Sequence, residues 1–374
     1  MIRQEKNWSG NLTYSAREWV VPQSVEHIQE TVAAASRVKA LGTRHAFSSV
    51  ADTSGVFLAM QEWNRVLEID SARRQVTVQA GIRYGDLARE LEAQGWALPN
   101  LASLPHISVM GACATGTHGS GSALGCLATQ VAGLKWVTSN GELKSVSRES
   151  NPEEFRGMVV HLGALGIVVE ITLDLVPSFA VTQQVFENLP LKTALDHFSE
   201  ITQGSYSVSL FTDWKEPRFT QVWRKQKIPT SVENSPAPEA EWWGARHAGK
   251  GLHPLPSVSA EHCTLQGGVP GPWFERLPHF RMDFEPSFGE ELQTEYLLPE
   301  DRAEEALQKL QELGEWITPP LLISEIRTIH EDDLWMSPHY GRPTVGLHFT
   351  WKKDWAAVEP VLGKLESALA PLEA

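Results

Sequence analysis

In the first half of the chain, helical and strand periods alternate. Val25, Ile28 and Val32 recur at helical spacing behind Ser24, whose hydroxyl can accept from the free N–H groups of a first turn, so a helix capped by Ser24 is predicted. The β-type run from Arg37 to Leu41 leads into Gly42, a strand delivering a loop. Residues 75 to 80 alternate through Val76, Val78 and Ala80, a helix carrying Leu87 and Leu91 follows, and Gly95 stops it. Asn140-Gly141 between LKWVTS and ELKSVS is a two-residue hairpin signal. Asn151, Pro152, Glu153 and Glu154 open a helix expected to end near Gly163, and IVVEITLDLV reads as a buried strand closing a first domain near Pro177.

The second half follows a different pattern. A helical stretch at 191 to 202 precedes strand-like YSVSLFTD and RFTQVWRK, and a helix at 300 to 314 precedes ISEIRTI and TVGLHFTW. Between them, 229 to 290 is rich in Pro, Gly and Trp and reads only as an extended loop with short strands. An antiparallel sheet covered by helices is the economical arrangement. At 374 residues the chain exceeds the usual single-domain size, so the reading is an α+β protein of two domains, 1–178 and 179–374.

Charge and cysteine content narrow the partners. A net charge of −14 with no long Lys/Arg run gives no footprint for phosphate backbones or anionic lipid, so nucleic acid and membrane are not expected partners. The N-terminus MIRQEKNWSGNLTYS lacks an apolar signal core and no stretch reaches the roughly 20 apolar residues of a spanning helix, so a cytoplasmic location is expected, and a monomer. Cys113, Cys126 and Cys263 form no CxxC pair and are expected to be buried free thiols.

Two loops carry the candidate chemistry. The first is Gly42-Thr43-Arg44-His45-Ala46-Phe47-Ser48-Ser49, directly after a strand, where small residues let backbone N–H groups cradle phosphate. The second, SLPHISVMGACATGTHGSG over 103 to 121, has almost no bulky side chains, so something large must lie against its backbone, and a dinucleotide fits. Its glycines at 116, 119 and 121 run G-x-x-G-x-G without a framing strand-helix unit, which disfavours a nicotinamide Rossmann site. For His45 alone, an ordinary loop histidine is the bland alternative. His106 and His118 need be no more than supports for the backbone. His247, His253, His262 and His279 lack HxH or HExxH spacing and are expected to be surface or structural, with no metal site.

A second constellation comes from strand alternation. In the run 344 to 351, Leu347, Phe349 and Trp351 occupy one face, so His348 and Thr350 share the other, and the same period puts Glu325 and Arg327 together in 323 to 329. If the two strands pair, one sheet surface presents Glu, Arg, His and Thr. The commoner outcome for such a face is a solvent-exposed ion pair.

The runs GTRHAFSS, PNLASLPHISVMGACATGTHGSG, LGALGIVVEITLDL, GPWFERLPHFR, SEIRT and HFTW occur in one order from Asn7-Trp8 to the chain end, and this arrangement resembles the alditol and xylitol oxidases of the vanillyl-alcohol oxidase superfamily. The resemblance implies a PCMH-type FAD-binding domain over 1–178 and an antiparallel-sheet substrate (cap) domain over 179–374. It implies FAD held covalently by His45 through the 8α-methyl group, with Gly42, Thr43, Arg44, Ala46, Phe47 and Ser48 around the pyrophosphate. Ser103, Ser108, Gly111, Ala112, Cys113, Ala114 and Thr115 are implied to line the isoalloxazine and phosphates, and Ile167 or Val168 the adenine end. The family usually has Ser-Gly before the histidine, where Gly permits a positive φ; this chain has Thr43-Arg44.

The same resemblance assigns Ser103, Glu325, Arg327 and Thr350 to the substrate hydroxyls, His348 to accepting or relaying the alcohol proton, and Ala102 to leaving room for dioxygen. The implied reaction oxidises the primary alcohol of a small polyol to an aldose and yields hydrogen peroxide. Family members continue with a segment containing a Lys that reaches the substrate hydroxyl, and that segment is expected to be absent here. The alternatives are a sugar-1,4-lactone oxidase or dehydrogenase, a truncated flavin-binding protein with little turnover, and, from another class, a metal hydrolase built on the scattered histidines.

Overall fold

The computed structural model describes residues 5–228, 239–284 and 289–374. The expectations that touch 1–4, 229–238 and 285–288 lie outside the described residues. The chain divides into two compact units, the first made of Met1–His118, Cys126–Ser178 and Asp332–Tyr340, the second of Gly119–Gly125, Phe179–Glu331 and Gly341–Ala374. The chain passes from the first unit to the second between Ser178 and Phe179, while 119–125 and 332–340 each belong to the unit their sequence neighbours do not. No periodicity marks either exchange, because both segments are short loops.

The first unit combines two sheets. Glu18–Val20, Val56–Ala59 and Val38–Leu41 form a parallel sheet with Val56–Ala59 in the middle. Val66–Asp70, Gln75–Gln79, Ile167–Asp174, Val131–Val137 and Leu143–Ser147 form an antiparallel sheet in that order. Ser24 caps the helix Val25–Ala34 by accepting from the His27 N–H at 3.1 Å, and Ile28 and Val32 pack with Leu58, Met60, Val137, Ile167 and Val169. Asn140-Gly141 closes the hairpin between Val131–Val137 and Leu143–Ser147, with Gly141 at φ +82°. The helix Pro152–Met158 ends five residues before Gly163, earlier than its pattern suggests. Beyond it the backbone turns to another partner, Leu162 N–H donating to the Ala114 carbonyl at 2.9 Å.

The second unit is an antiparallel sheet whose long strands run Ala180–Pro190, Arg218–Ile228, Ser207–Thr212, Leu321–Ile329, Thr344–Lys352, Glu291–Pro299. One face is apolar: Phe186, Leu210, Val222, Ile326, Leu347, Phe349 and Trp351 pack with Leu307, Leu310, Val358 and Leu365 from the helices Ala303–Glu312 and Trp355–Leu369. The expected single helix at 191 to 202 is two, Leu191–Asp196 and Phe198–Gln203, because His197 between them leaves the helical region at φ −135° and ψ 31°. The expected helix at 300 to 314 is likewise interrupted after Glu312 and resumes as Gly314–Ile317. Gly314 passes so near the Trp214 carbonyl that a Cβ there would stand 2.5 Å from its oxygen. The strand Glu291–Pro299 lies at the edge of the region that the sequence left unassigned.

Candidate active site

In the first unit, the strand Val38–Leu41 delivers the loop from Gly42, and the neighbouring chain fixes that loop from several sides. Gln61 Nε2 donates to the Gly42 carbonyl at 2.6 Å, Ser108 N–H to Thr43 Oγ1 at 3.1 Å, and Trp8 N–H to the Arg44 carbonyl at 2.8 Å. Asn7 Nδ2 reaches the Ala46 carbonyl at 3.0 Å and Asn11 Nδ2 the Phe47 carbonyl at 3.1 Å. Arg44 takes φ +66°, the left-handed conformation that the family's usual glycine accepts freely and that costs another residue about 1–2 kcal/mol. Its guanidinium is tied to Glu5 at 2.5 Å.

The loop walls a cavity of about 370 Å³. Gly42, Thr43, Arg44, His45, Ala46, Phe47, Ser48, Ser108, Gly111, Ala112, Ala114 and Thr115 all line it, with Val168. A second cavity of about 980 Å³ shares Lys39, Gly163 and Gly166 with the first and is the one that Ile167 lines. Ser108 fits only because its neighbours lack side chains: a Cβ on Gly111 would stand 2.7 Å from Ser108 Oγ, and one on Gly42 would overlap the same oxygen. Cys113 corrects the sequence reading. It is wholly buried, its thiol bonded to Tyr84 Oη at 3.3 Å and the Leu127 carbonyl at 3.7 Å, because the helix Val109–Ala114 turns that position away from the cavity. All three thiols are free and buried. Ser103 belongs to the same unit, half-buried, and does not line this cavity; nor does the buried Ala102.

His45 stands in the loop with its ring stacked on Trp8, centroids 5.3 Å apart. Its Nδ1 is shut off from solvent without a hydrogen-bond partner. Burial, then the nearby His106, pushes its pKa down to about 4, against the opposing pull of the Thr43 backbone, so the imidazole is neutral near pH 7. A glycine-walled slot whose lining is shared with a larger cavity has the length that a dinucleotide would need.

In the second unit, the strands Leu321–Ile329 and Thr344–Lys352 pair antiparallel, with Glu325 opposite His348. On the other side of His348 stands Glu295, from Glu291–Pro299. A bulge between Leu321 and Ile323 shifts the alternation, so Leu321 joins the apolar core while Ile323, Glu325 and Arg327 take the opposite face with His348 and Thr350. Arg327 Nη2 donates to Glu295 Oε1 at 2.7 Å, and its Nε stands 3.8 Å from Glu325 Oε1. His348 Nε2 and Thr350 Oγ1 are 3.4 Å apart, and His348 Nδ1 lies 3.8 Å from Glu295 Oε1. Glu325 and Arg327 are 6% and 8% exposed, so this is not the solvent-screened ion pair of an ordinary sheet face.

Electrostatics fixes the states of these groups. Burial alone would raise the Glu325 pKa, but Arg327, then His279 with its hydrogen bond, then His348 outweigh it and hold the carboxyl far below its usual range. Burial likewise opposes the Arg327 charge, and Glu325 and Glu295 more than restore it.

His279, expected among the surface or structural histidines, is 5% exposed and donates from Nε2 to Glu325 Oε1 at 2.8 Å. Lys225 lies behind it, and neither was singled out from the sequence. Alternation in Arg218–Ile228 does put Lys225 on the same face as the apolar Trp223, which is the one signal available. His247 and His253 cap local turns, their Nδ1 atoms accepting from Gly249 and Leu255. His106 and His118 are buried, His118 edge-on to His339. Among the described residues no group of three or more His, Cys, Asp or Glu is placed to hold a metal ion, and no helix is long and apolar enough to cross a membrane.

These features describe an FAD-binding oxidoreductase, and residues 17–147 match the family model "FAD binding domain". The chain is 46% identical to an alditol oxidase of a Streptomyces species over 97% of its own length and 86% of that protein. It is 29% identical to L-gulonolactone oxidase of Bos taurus, covering 96% and 86%, and 26% identical to L-gulono-1,4-lactone dehydrogenase of Mycobacterium tuberculosis, covering 90% and 80%. The chain belongs to the alditol oxidase family, within the vanillyl-alcohol oxidase (PCMH) superfamily.

Proposed function

We propose that this protein oxidises the primary alcohol of small linear alditols, xylitol and sorbitol among them, to the aldose, with dioxygen reduced to hydrogen peroxide. The observation that carries this reading is the row of buried Glu325, Arg327 and Thr350 with half-buried His348, in which a carboxylate and a guanidinium stand side by side. Such a face, with Glu325 and Glu295 beside Arg327, offers donors and acceptors along a line without an excess of positive charge, which suits an uncharged polyol and disfavours an acid or a phosphate ester. Arg327 and Thr350 would donate to hydroxyl oxygens, Glu325 would accept from a hydroxyl, His348 would take the alcohol proton, and Ser103 would bind a further hydroxyl. Bound FAD supplies the acceptor for the hydride leaving the carbinol carbon and the route by which its electrons reach dioxygen. Ala102 would leave dioxygen space to approach. His45, neutral and with an orphaned nitrogen, would hold the flavin covalently through the 8α-methyl carbon.

The test is anaerobic mixing of the yellow protein with xylitol, sorbitol and L-gulono-1,4-lactone, followed by aerobic peroxide assay. Alditols are expected to bleach the flavin fastest and to yield peroxide. A lactone with much higher kcat/KM than any alditol would overturn this reading in favour of a sugar-lactone oxidase, the activity named for the 29% identical relative.

A further inference from the structure

One chain of buried groups behind the sheet face has no place in the roles above. Lys225, 1% exposed, projects from Arg218–Ile228 and donates to the Leu277 carbonyl, to the Pro278 carbonyl at 3.4 Å and to His279 Nδ1 at 3.2 Å. The other ring nitrogen, Nε2, faces Glu325 Oε1 at 2.8 Å. An ionised Glu325 can only accept, so the ring proton sits on Nε2, and in the neutral ring Nδ1 is then the acceptor that Lys225 meets. The polarity of the chain thus runs one way, from Lys225 through His279 to Glu325.

Among the described residues, the contacts of His279 and Arg327 with Glu325 fall on the same oxygen, Oε1. The apolar surroundings, with Val185, Phe211, Trp223, Cys263 and Ile323 clustered nearby, make a lysine a costly filler where a methionine would pack. Burial brings the Lys225 pKa down to about 7, against the opposing pull of Glu325 and then Cys263. Burial and then Lys225 bring His279 down to about 4, which keeps the ring neutral.

We propose that Lys225 and His279 are positioning residues for Glu325: a one-way donor chain that pins Oε1 and leaves Oε2 to accept from a substrate hydroxyl. This deepens, and rests on, the polyol reading of the same face. It also gives a role to the segment 277–279, which carries no periodic signal, as the element that brings a donor onto the substrate carboxylate.

The experiment compares His279→Leu, His279→Gln, Glu325→Gln and the His279→Leu/Glu325→Gln double variant in the holoenzyme, with flavin content and melting temperature measured for each. His279→Leu is expected to raise KM for xylitol about tenfold or more, the effect of one charge-assisted hydrogen bond, with a smaller change in kcat and normal flavin content. Glutamine can accept from Lys225 and donate to Glu325 at once, so His279→Gln is expected to recover most of that loss. In the double variant, His279→Leu is expected to add nothing to Glu325→Gln. Additive effects, or a glutamine no better than leucine, would overturn the proposal. If His279→Leu does not fold, Lys225→Met with and without Glu325→Gln reads the same coupling. If the wild type reduces no flavin with any polyol, the polyol reading fails on its own. The 15N spectrum of His279 then decides: a neutral ring protonated at Nε2 at pH 6 supports the chain, and an Nδ1–H or doubly protonated ring refutes it.

Discussion

Replacing Glu325 by glutamine removes one negative charge at nearly constant shape, so its effect can be worked from the contacts that charge makes. Oε1 takes the His279 donor at 2.8 Å and lies 3.8 Å from Arg327 Nε, at a residue 6% exposed, where salt and water screen little. A hydrogen bond to a charged group contributes about 1.5–3 kcal/mol, and each 1.4 kcal/mol is tenfold, so losing the charged acceptor for a substrate hydroxyl should lower kcat/KM for xylitol by about 10- to 150-fold. The fold should tolerate the change better than a typical broken buried pair, which costs about 3–5 kcal/mol, because Arg327 keeps its 2.7 Å bond to Glu295. Flavin content should be unchanged, since no cavity-lining residue of the first unit is touched. Stopped-flow flavin reduction with xylitol, alongside the absorbance ratio of flavin to protein, measures both quantities. Kinetics within twofold of wild type in a fully flavinated variant would show that this carboxylate does not meet substrate, whatever its burial.

Three further outcomes are expected. His45→Ala should leave all flavin in the supernatant after acid precipitation, whereas the wild-type pellet stays yellow; a colourless wild-type pellet would remove the covalent assignment. Gly42→Ala places a methyl group on Ser108 Oγ and should lower flavin occupancy, while Gly42→Ala combined with Ser108→Gly restores it; occupancy unaffected by the single change would mean the loop yields there. His279 is held neutral down to about pH 4 in the fold but takes up a proton near pH 6.5 when unfolded. The unfolded state therefore binds the extra proton across that window, and stability falls with acid by about 1.4 kcal/mol per pH unit for this one group. His279→Gln should flatten the slope between pH 6.5 and 4 by that amount in denaturant titrations, and an unchanged slope would place the ring's proton uptake elsewhere.

What the sequence by itself determined was local and periodic. Ser24 before an apolar helical face, Asn140-Gly141 between two strand patterns and the strict alternation of Leu347, Phe349 and Trp351 each specify backbone geometry through neighbours a few residues away. The same alternation put His348 and Thr350 on one face and Glu325 with Arg327 on another, and pairing in register made the two faces one. The small-residue loops at 42–49 and 103–121 announced a cavity because a chain without side chains leaves space. Tertiary structure decided the rest. Cys113 sits inside a loop whose composition points to the cavity, yet one helical turn aims it at Tyr84. Arg44 holds a left-handed backbone that its residue type resists, fixed by Trp8 and Glu5 from the N-terminal segment. His279 reaches Glu325, 46 positions away, from a segment with neither helical nor strand period. Its place depends on where a Pro-containing loop lies against the sheet, and no periodicity encodes that placement, because the partners that hold it, Lys225 and Glu325, are distant in sequence.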